Sequence, residues 1–300
     1  MKKPGRERNW KAVIIGAGSA AAGMLRGLSS AGIPVAAVAG RTRSACKSLL
    51  ERAGVDGVPA FTRNAEAARR GDLVLLAVPD KAAAEVAAEI AREGGLEAGD
   101  LVVHLSGALT SGILDPALAL GARIGSLHPL VSFATDPGEA DLRGTTFAVE
   151  GPPDVVDDLE EIVRRLGAVP VAVPSEFKPL YHAAAAVVSN FTVSIFDMGA
   201  TLFETIGIQP EPGLRGLVAL LRSTLQNIAA VGVPGALTGP IARGDTKTVE
   251  GHLKALKEKA PGFLPVYASL GMHTIDVALR KGSLKDDEAE VMKMMFARHL

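Results

Sequence analysis

The sequence predicts an α/β fold that becomes all-α: a doubly wound sheet followed by a helical domain opened by one long helix. Three observations predict it. An apolar strand, Val13-Ile14-Ile15, runs straight into Gly16-Ala17-Gly18 and then into an alanine-rich helical stretch. Apolar strand patterns and helical patterns then alternate as far as Pro174. From Glu176 onward no strand pattern recurs. The domains are accordingly expected at residues 1–174 and 175–300.

In order along the chain, the first helix is expected over residues 19–29 and the second strand over 34–39. A helix over 44–53, a short strand over 58–61 and a helix over 64–70 follow. Residues 72–78 read Asp-Leu-Val-Leu-Leu-Ala-Val, a continuous apolar run of the kind that parallel strands buried on both faces show. Pro79-Asp80 stops it, and a helix over 82–92 follows. Strands are expected at 101–105, 123–127, 145–149 and 170–173, with a helix over 155–166. Ser175 is placed to cap a helix of some thirty residues, reaching Ile206, whose first turn tolerates Pro179. Helices over 212–231, 246–259, 263–281 and 285–299 complete the chain, with Gly and Pro at the joins.

Composition narrows the function. Net charge is −1 over 300 residues, which points away from a nucleic-acid or polyanion partner. The one cysteine, Cys46, excludes a disulfide framework and a cysteine-rich metal site, and fits a cytoplasmic protein. The basic, polar stretch 1–8 reads as a loose tail. The apolar stretch 182–203 carries His182, Asn190 and Asp197, so it reads as a helix buried inside a soluble protein and not as a membrane span. No metal-ligand constellation is visible.

The strand–glycine turn–helix is the context that a dinucleotide pyrophosphate needs. Gly16 permits the tight turn, and Gly18 lets the backbone approach the phosphates. Ala21 lets helix and strand pack closely, and the helix N-terminus offers its free N–H groups. Gly16, Gly18, Ser19 and Ala20 are therefore the expected phosphate-facing residues. About 20–25 residues further on, NAD-binding folds place an acidic residue on the ribose. Here stand Arg41-Thr42-Arg43-Ser44. Arginine forks and hydroxyls suit an NADP 2′-phosphate. Val78 and Pro79, at the carboxyl edge of the sheet, are expected beside the nicotinamide.

Ser106 and His128 each close a strand on that same edge. A histidine can move the proton that accompanies a hydride, and Ser106 and Asn190 can hold the reacting oxygen. Ordinary turn chemistry is the alternative for Ser106, and a core hydrogen bond for Asn190. Lys178 and His182 lie four apart on one helix face, with Ser189 nearly in line. This polar stripe suggests a cleft wall; the alternative is an exposed first turn. Arg243, in Thr238-Gly239-Pro240-Ile241-Ala242-Arg243-Gly244-Asp245, can meet an anionic substrate, and Asp245 can cap the next helix.

These segments together resemble the 6-phosphogluconate dehydrogenase-like superfamily. More closely, His104-Leu105-Ser106-Gly107-Ala108, Ser126-Leu127-His128-Pro129-Leu130, Tyr181-His182-Ala183-Ala184-Ala185 with Ser189-Asn190, and the 236–245 loop are similar to an uncharacterised bacterial family of NADP-dependent oxidoreductases. Its members pair a Rossmann-like domain with a C-terminal domain of unknown function. The resemblance implies a Rossmann half and a helical half. Prephenate dehydrogenases have a His-Pro and a serine matching His128 and Ser106, and hydroxyacyl-CoA dehydrogenases combine serine, histidine and asparagine as Ser106, His128 and Asn190 do. The lysine that β-hydroxyacid dehydrogenases carry four residues before the helix asparagine is Ala186 here.

The expectation is an NADP(H)-dependent oxidoreductase that transfers a hydride to or from a small, anionic, hydroxy or oxo compound. An imine reductase of the pyrroline-carboxylate type and a non-catalytic NADP-binding sensor are the alternatives. A homodimer through the helical domain is expected, because one long apolar helix needs covering. Neither a nucleic acid nor a membrane is expected as a partner.

Overall fold

The computed structural model describes residues 8–133 and 141–300. Residues 1–7 of the expected N-terminal tail lie outside the described residues. The chain divides into two compact units, Met1–Ser189 and Asn190–Leu300. That division falls later than the expected 174/175 join, inside the stretch expected to form one helix.

The first unit is built on one eight-stranded sheet. Its strands are β1 (Ala12–Ile15), β2 (Val35–Ala39), β3 (Ala60–Phe61), β4 (Leu73–Leu76), β5 (Leu101–His104), β6 (Arg123–Pro129), β7 (Thr146–Glu150) and β8 (Val169–Ala172). Their order is β3-β2-β1-β4-β5-β6-β7-β8. The six strands from β3 to β6 run parallel; β7 turns antiparallel against β6, and β8 pairs parallel with β7. Strand order reverses between β1 and β4, so the crevice beyond their carboxyl ends is where such sheets bind ligands.

Alternation along each strand fills two cores. In β1, Ala12 and Ile14 join one apolar cluster, while Val13 and Ile15 join the other. β4 divides the same way, with Leu73 and Leu75 on one face and Val74 and Leu76 on the other. Helices α1 (Ser19–Ser30), α2 (Arg43–Ala53) and α6 (Pro153–Arg165) cover the first face. Helices α3 (Asn64–Ala68), α4 (Asp80–Arg92) and α5 (Asp115–Leu118) cover the second. A 3-10 turn, Ser111–Leu114, leads into α5, an element not expected from the sequence pattern. Trp10, just before β1, is buried between the guanidinium groups of Arg8 and Arg123, 4.8 and 5.8 Å from its ring. Its indole Nε1 has no hydrogen-bond partner among the described residues.

The expected thirty-residue helix is interrupted. Ser175–Phe177 is a 3-10 turn, α7 covers Lys178–Val188, and α8 covers Asn190–Thr205, with Ser189 between them. Ser175 does not cap it: its hydroxyl donates to Glu150 Oε1 at 2.7 Å.

The second unit continues with α9 (Pro210–Ala236), α10 (Thr246–Lys259), α11 (Leu264–Lys281) and α12 (Asp286–Ala297). Val249 and Leu253 of α10, Ala268 and Ile275 of α11, and Met292 and Phe296 of α12 form its core. Asp245 caps α10 as expected, accepting from Thr248 N at 3.0 Å. Gly232, at φ +74°, breaks the course of α9 where the helix was expected to end.

Helices α7 and α8 do not follow the expectation of a buried segment over 182–203, and α9 is exposed as well. Val193 is 70% exposed, Leu220 65% and Val231 61%. Ser175–Thr205 and Pro210–Ala236 are each long and apolar enough to cross a membrane, and neither apolar window is buried within the chain. An apolar sequence meets the same composition test whether its own chain or another surface covers it, which is why the sequence alone misplaced this stretch.

Candidate functional site

The turn after β1 is shaped by close packing against β4. Gly16 adopts φ +123°, and a Cβ there would lie 2.1 Å from Ala77 O, so only glycine fits. Gly18 stands in open space and forms the N-cap of α1. No side chain caps that N-terminus among the described residues, and its first turn carries no acid. The free N–H groups at this end suit an anion. Arg52, on the last turn of α2, donates from Nη2 to Ala17 O at 2.6 Å and from Nε to Ser48 O at 3.3 Å. Arg26 of α1 in turn holds Arg52 O and Ala53 O. The two arginines tie the glycine turn to the helix that follows β2.

At the end of β2, Arg41 and Arg43 are exposed. Thr42 is the N-cap of α2: its Oγ1 accepts from Ala45 N at 3.1 Å and lies 3.0 Å from Ser44 Oγ. The cap fixes the start of α2 directly after Arg41. Val78 is half-buried and Pro79 exposed, just before Asp80 opens α4.

The β5–β6 edge is built from buried polar groups instead. Ser106 Oγ donates to Asp80 Oδ2 at 2.7 Å and accepts from Ala108 N and Leu109 N at 3.2 and 3.1 Å. A hydroxyl has one proton and two lone pairs. All three are engaged in shaping the turn, so the turn chemistry weighed for Ser106 accounts for its side chain. His104 is buried; its Nδ1 accepts from Ser106 N, its Nε2 donates to Thr110 O, and burial pushes its pKa down.

His128 lies inside β6, paired opposite Ala148 of β7, and not beyond the strand end as expected. Its Nδ1 is 2.8 Å from Tyr181 Oη. Burial first, then the charges of Lys178 and His182, push its pKa from the ordinary 6.5 to about 4, so the ring is neutral at neutral pH. The His182 ring centroid is 6.2 Å away. Gly107 sits where both imidazoles close on the chain: a Cβ there would lie 2.8 Å from His128 Nε2 and 2.8 Å from His182 Nδ1.

Lys178 departs most from expectation. Its own side chain is fully buried, which excludes it as a substrate anchor on a cleft wall, although Leu180 of the same turn is exposed. Its Nζ donates to Ser126 Oγ at 2.7 Å and to Ser106 O at 2.9 Å. Glu150, also buried, accepts from Ser111 N, Ser111 Oγ and Ser175 Oγ.

The structure thus brings Ser106, His128, Lys178 and His182 together. Asn190 opens α8 and Arg243 lies on the 3-10 turn Ile241–Arg243; both belong to the second unit and both are exposed. Sequence reasoning gave no role to Asp80, His104, Glu150 or Tyr181. His104 and Tyr181 left a signal, since each opens a segment that carries the family resemblance, and Tyr181 falls three residues after Lys178.

Residues 4–129 match the model of a Rossmann-like domain, and residues 145–274 match that of a domain of unknown function, DUF2520. The chain joins a Rossmann-like domain to a DUF2520 domain. The DUF2520 match takes in β7, α6 and β8 as well as helices of the second unit. No curated protein sequence matches the chain. Among solved structures, a candidate NADP oxidoreductase from Bacteroides fragilis is 22% identical, with a TM-score of 0.71 over 89% of this chain and 98% of its own. Protein TM1727 from Thermotoga maritima is 25% identical, with a TM-score of 0.70 over 90% and 99%. A Plasmodium falciparum pyrroline carboxylate reductase, with NADP bound, is 14% identical, with a TM-score of 0.59 over 96% and 98%.

Proposed function

We propose that this Rossmann–DUF2520 chain is an NADP(H)-dependent oxidoreductase acting on a small, anionic, hydroxy or oxo compound. The observation that carries it is the pairing of an uncapped α1 N-terminus behind Gly16 and Gly18 with two exposed arginines, Arg41 and Arg43, where an acid would select NAD. The likeness to structures of redox enzymes, one holding NADP, supports it. NADP(H) would supply the hydride donor or acceptor. Gly16, Gly18, Ser19 and Ala20 would hold its pyrophosphate, Arg41 and Arg43 its 2′-phosphate, and Val78 and Pro79 would flank the nicotinamide.

His128 is the residue that meets the substrate. Because the ring is neutral at neutral pH, it works there as a hydrogen-bonding group, with Tyr181 fixing its orientation through Nδ1. Ser106 shapes the turn beside it. A second reading is favoured by the same neutral histidine: a protonated C=N bond needs only a hydride, with no proton from the protein. Imine reduction of the pyrroline-carboxylate type fits that chemistry.

The exposed apolar faces of α8 and α9 support a homodimer through the helical half, and free, buried Cys46 is in keeping with the cytoplasm. Light scattering at micromolar concentration should give a dimer mass; a monomer mass speaks against it.

The decisive experiment is calorimetric titration with NADPH and NADH. NADPH should bind at least about tenfold more tightly, since a charge-assisted phosphate contact contributes about 1.5–3 kcal/mol. The variant Arg41→Ala/Arg43→Ala should lose most of that difference. Equal affinities in the unaltered protein overturn the assignment. A substrate screen following NADPH absorbance then separates C=O from C=N substrates.

A further inference from the structure

We propose that Lys178 is a positioning residue of this site, clasping the turn after β5 to β6 and setting the charge under which His128 meets its substrate. The proposal rests on the redox reading above.

The geometry comes first. Lysine ordinarily keeps its ammonium in water while its stem lies along the protein. Lys178 is wholly enclosed, the one fully buried cation among the described residues. Its two hydrogen-bond partners come from different strands: Ser106 O follows β5, and Ser126 Oγ belongs to β6. Ser126 Oγ also donates to Ser106 O, at 3.3 Å, so the three groups form a closed triangle. The clasp lies one residue before Gly107, the point against which His128 and His182 pack. Moving the turn moves both rings.

The charge is the second part. Neither hydrogen-bond partner of Lys178 is an anion. The carboxylates that favour its charged form, Glu150 and Asp80, are engaged by Ser111, Ser175 and Ser106. An apolar side chain of the same length would fill the space without the penalty of burying a charge. The ammonium therefore has a role beyond packing, and the group it acts on is His128.

The groups that face His128 come from three further elements. Tyr181 and His182 stand beside Lys178 on α7, Asp80 opens α4, and His104 ends β5. Lys178, His182 and His104 oppose a proton on His128; Asp80 alone favours one. Burial lowers the Lys178 pKa to about 8, so between roughly pH 4 and pH 8 a charged lysine stands beside a neutral histidine. Removing the positive charge makes protonation of His128 easier and moves its midpoint up.

The test is proton NMR titration of His128 in the whole protein without ligand, its resonance assigned by loss in His128→Gln. The wild type should titrate below pH 5. Lys178→Arg, which keeps the charge, should stay close to that value, and Lys178→Met should rise by about one unit, the size expected for losing a nearby charge. An unchanged midpoint in a folded Lys178→Met protein overturns the proposal, because a lysine that only packs would leave it unchanged.

Should Lys178→Met not fold, the wild type and Lys178→Arg suffice. The neutral-form shift of His128 should move a second time near pH 8 in the wild type, as Lys178 loses its proton. That second inflection should vanish in Lys178→Arg, since arginine stays protonated. Its persistence there, or its absence from the wild type, overturns the proposal. Calorimetry with NADPH on the same samples keeps the two readings apart. Failure to bind NADPH sinks the redox reading and leaves the titration as it is.

Discussion

The two ends of the proposed site are made in opposite ways. The β1–β2 end uses backbone N–H groups, a glycine turn and exposed arginines, and it is open to solvent. The β5–β6 end uses buried groups that satisfy one another, Ser106, Lys178 and Ser126, with exposed Asp80 accepting from Ser106 and buried Glu150 held by Ser111 and Ser175 nearby. An open anion site tolerates loss of a side chain, because water replaces it. A closed polar network does not, because the remaining partner is left buried and unpaired.

The largest effect that would sharpen this contrast is on stability. Glu150→Ala leaves the amide and hydroxyl of Ser111 and the nearby Lys178 charge without their carboxylate. Urea unfolding should show a loss of about 3–5 kcal/mol, typical of breaking a buried charged group from its partners. Arg41→Ala/Arg43→Ala should stay within about 0.5 kcal/mol of the wild type, as exposed substitutions do. A loss in Glu150→Ala as small as that would erase the distinction.

The next effect is on turnover. Gly107→Ala places a methyl group 2.8 Å from both imidazoles, which must swing away. With a substrate in hand, turnover should fall by roughly 10²-fold, the scale on which a displacement of about 1 Å acts. NADPH affinity, set at the other end, should stay within about twofold. Equal losses in both would show that the two ends are not separate.

The smallest effect probes the open end. Arg52→Ala frees Ala17 O from a 2.6 Å hydrogen bond. NADPH and NADH should weaken together by about three- to tenfold, the worth of one hydrogen bond of about 0.5–1.5 kcal/mol. Their ratio should hold. Weakening confined to NADPH would instead place Arg52 on the 2′-phosphate.

The same contrast explains what the sequence made legible. The open end is contiguous: Gly16 to Ala20 and Arg41 to Arg43 are short runs whose spacing carries the chemistry. The strand–helix alternation was readable because both faces of the sheet are buried, giving unbroken apolar runs such as Leu73–Leu76. The closed end is assembled from α4, β5, β6, β7 and α7. Asp80 and Ser106 are 26 residues apart, and Ser106 and Lys178 are 72 apart. No local pattern announces such partners. In sequence, Glu150 resembles the last polar residue of a strand, and Lys178 resembles a surface lysine in a first turn. The stretch 182–203 was misread for a related reason: hydropathy reports that a surface needs covering, and not what covers it.

One further property follows from Trp10. It is the only tryptophan in the chain, and it lies enclosed in the first unit, between two guanidinium groups and with no partner for its N–H among the described residues. Its fluorescence therefore reads out one half of the molecule. Opening the first unit exposes the indole to water and shifts its emission to the red, whereas α8 to α12 carry no tryptophan and their melting is followed as lost helical ellipticity. Following both signals through one denaturant titration shows whether the halves unfold as a single cooperative body: coincident curves mean one transition, and displaced curves mean two.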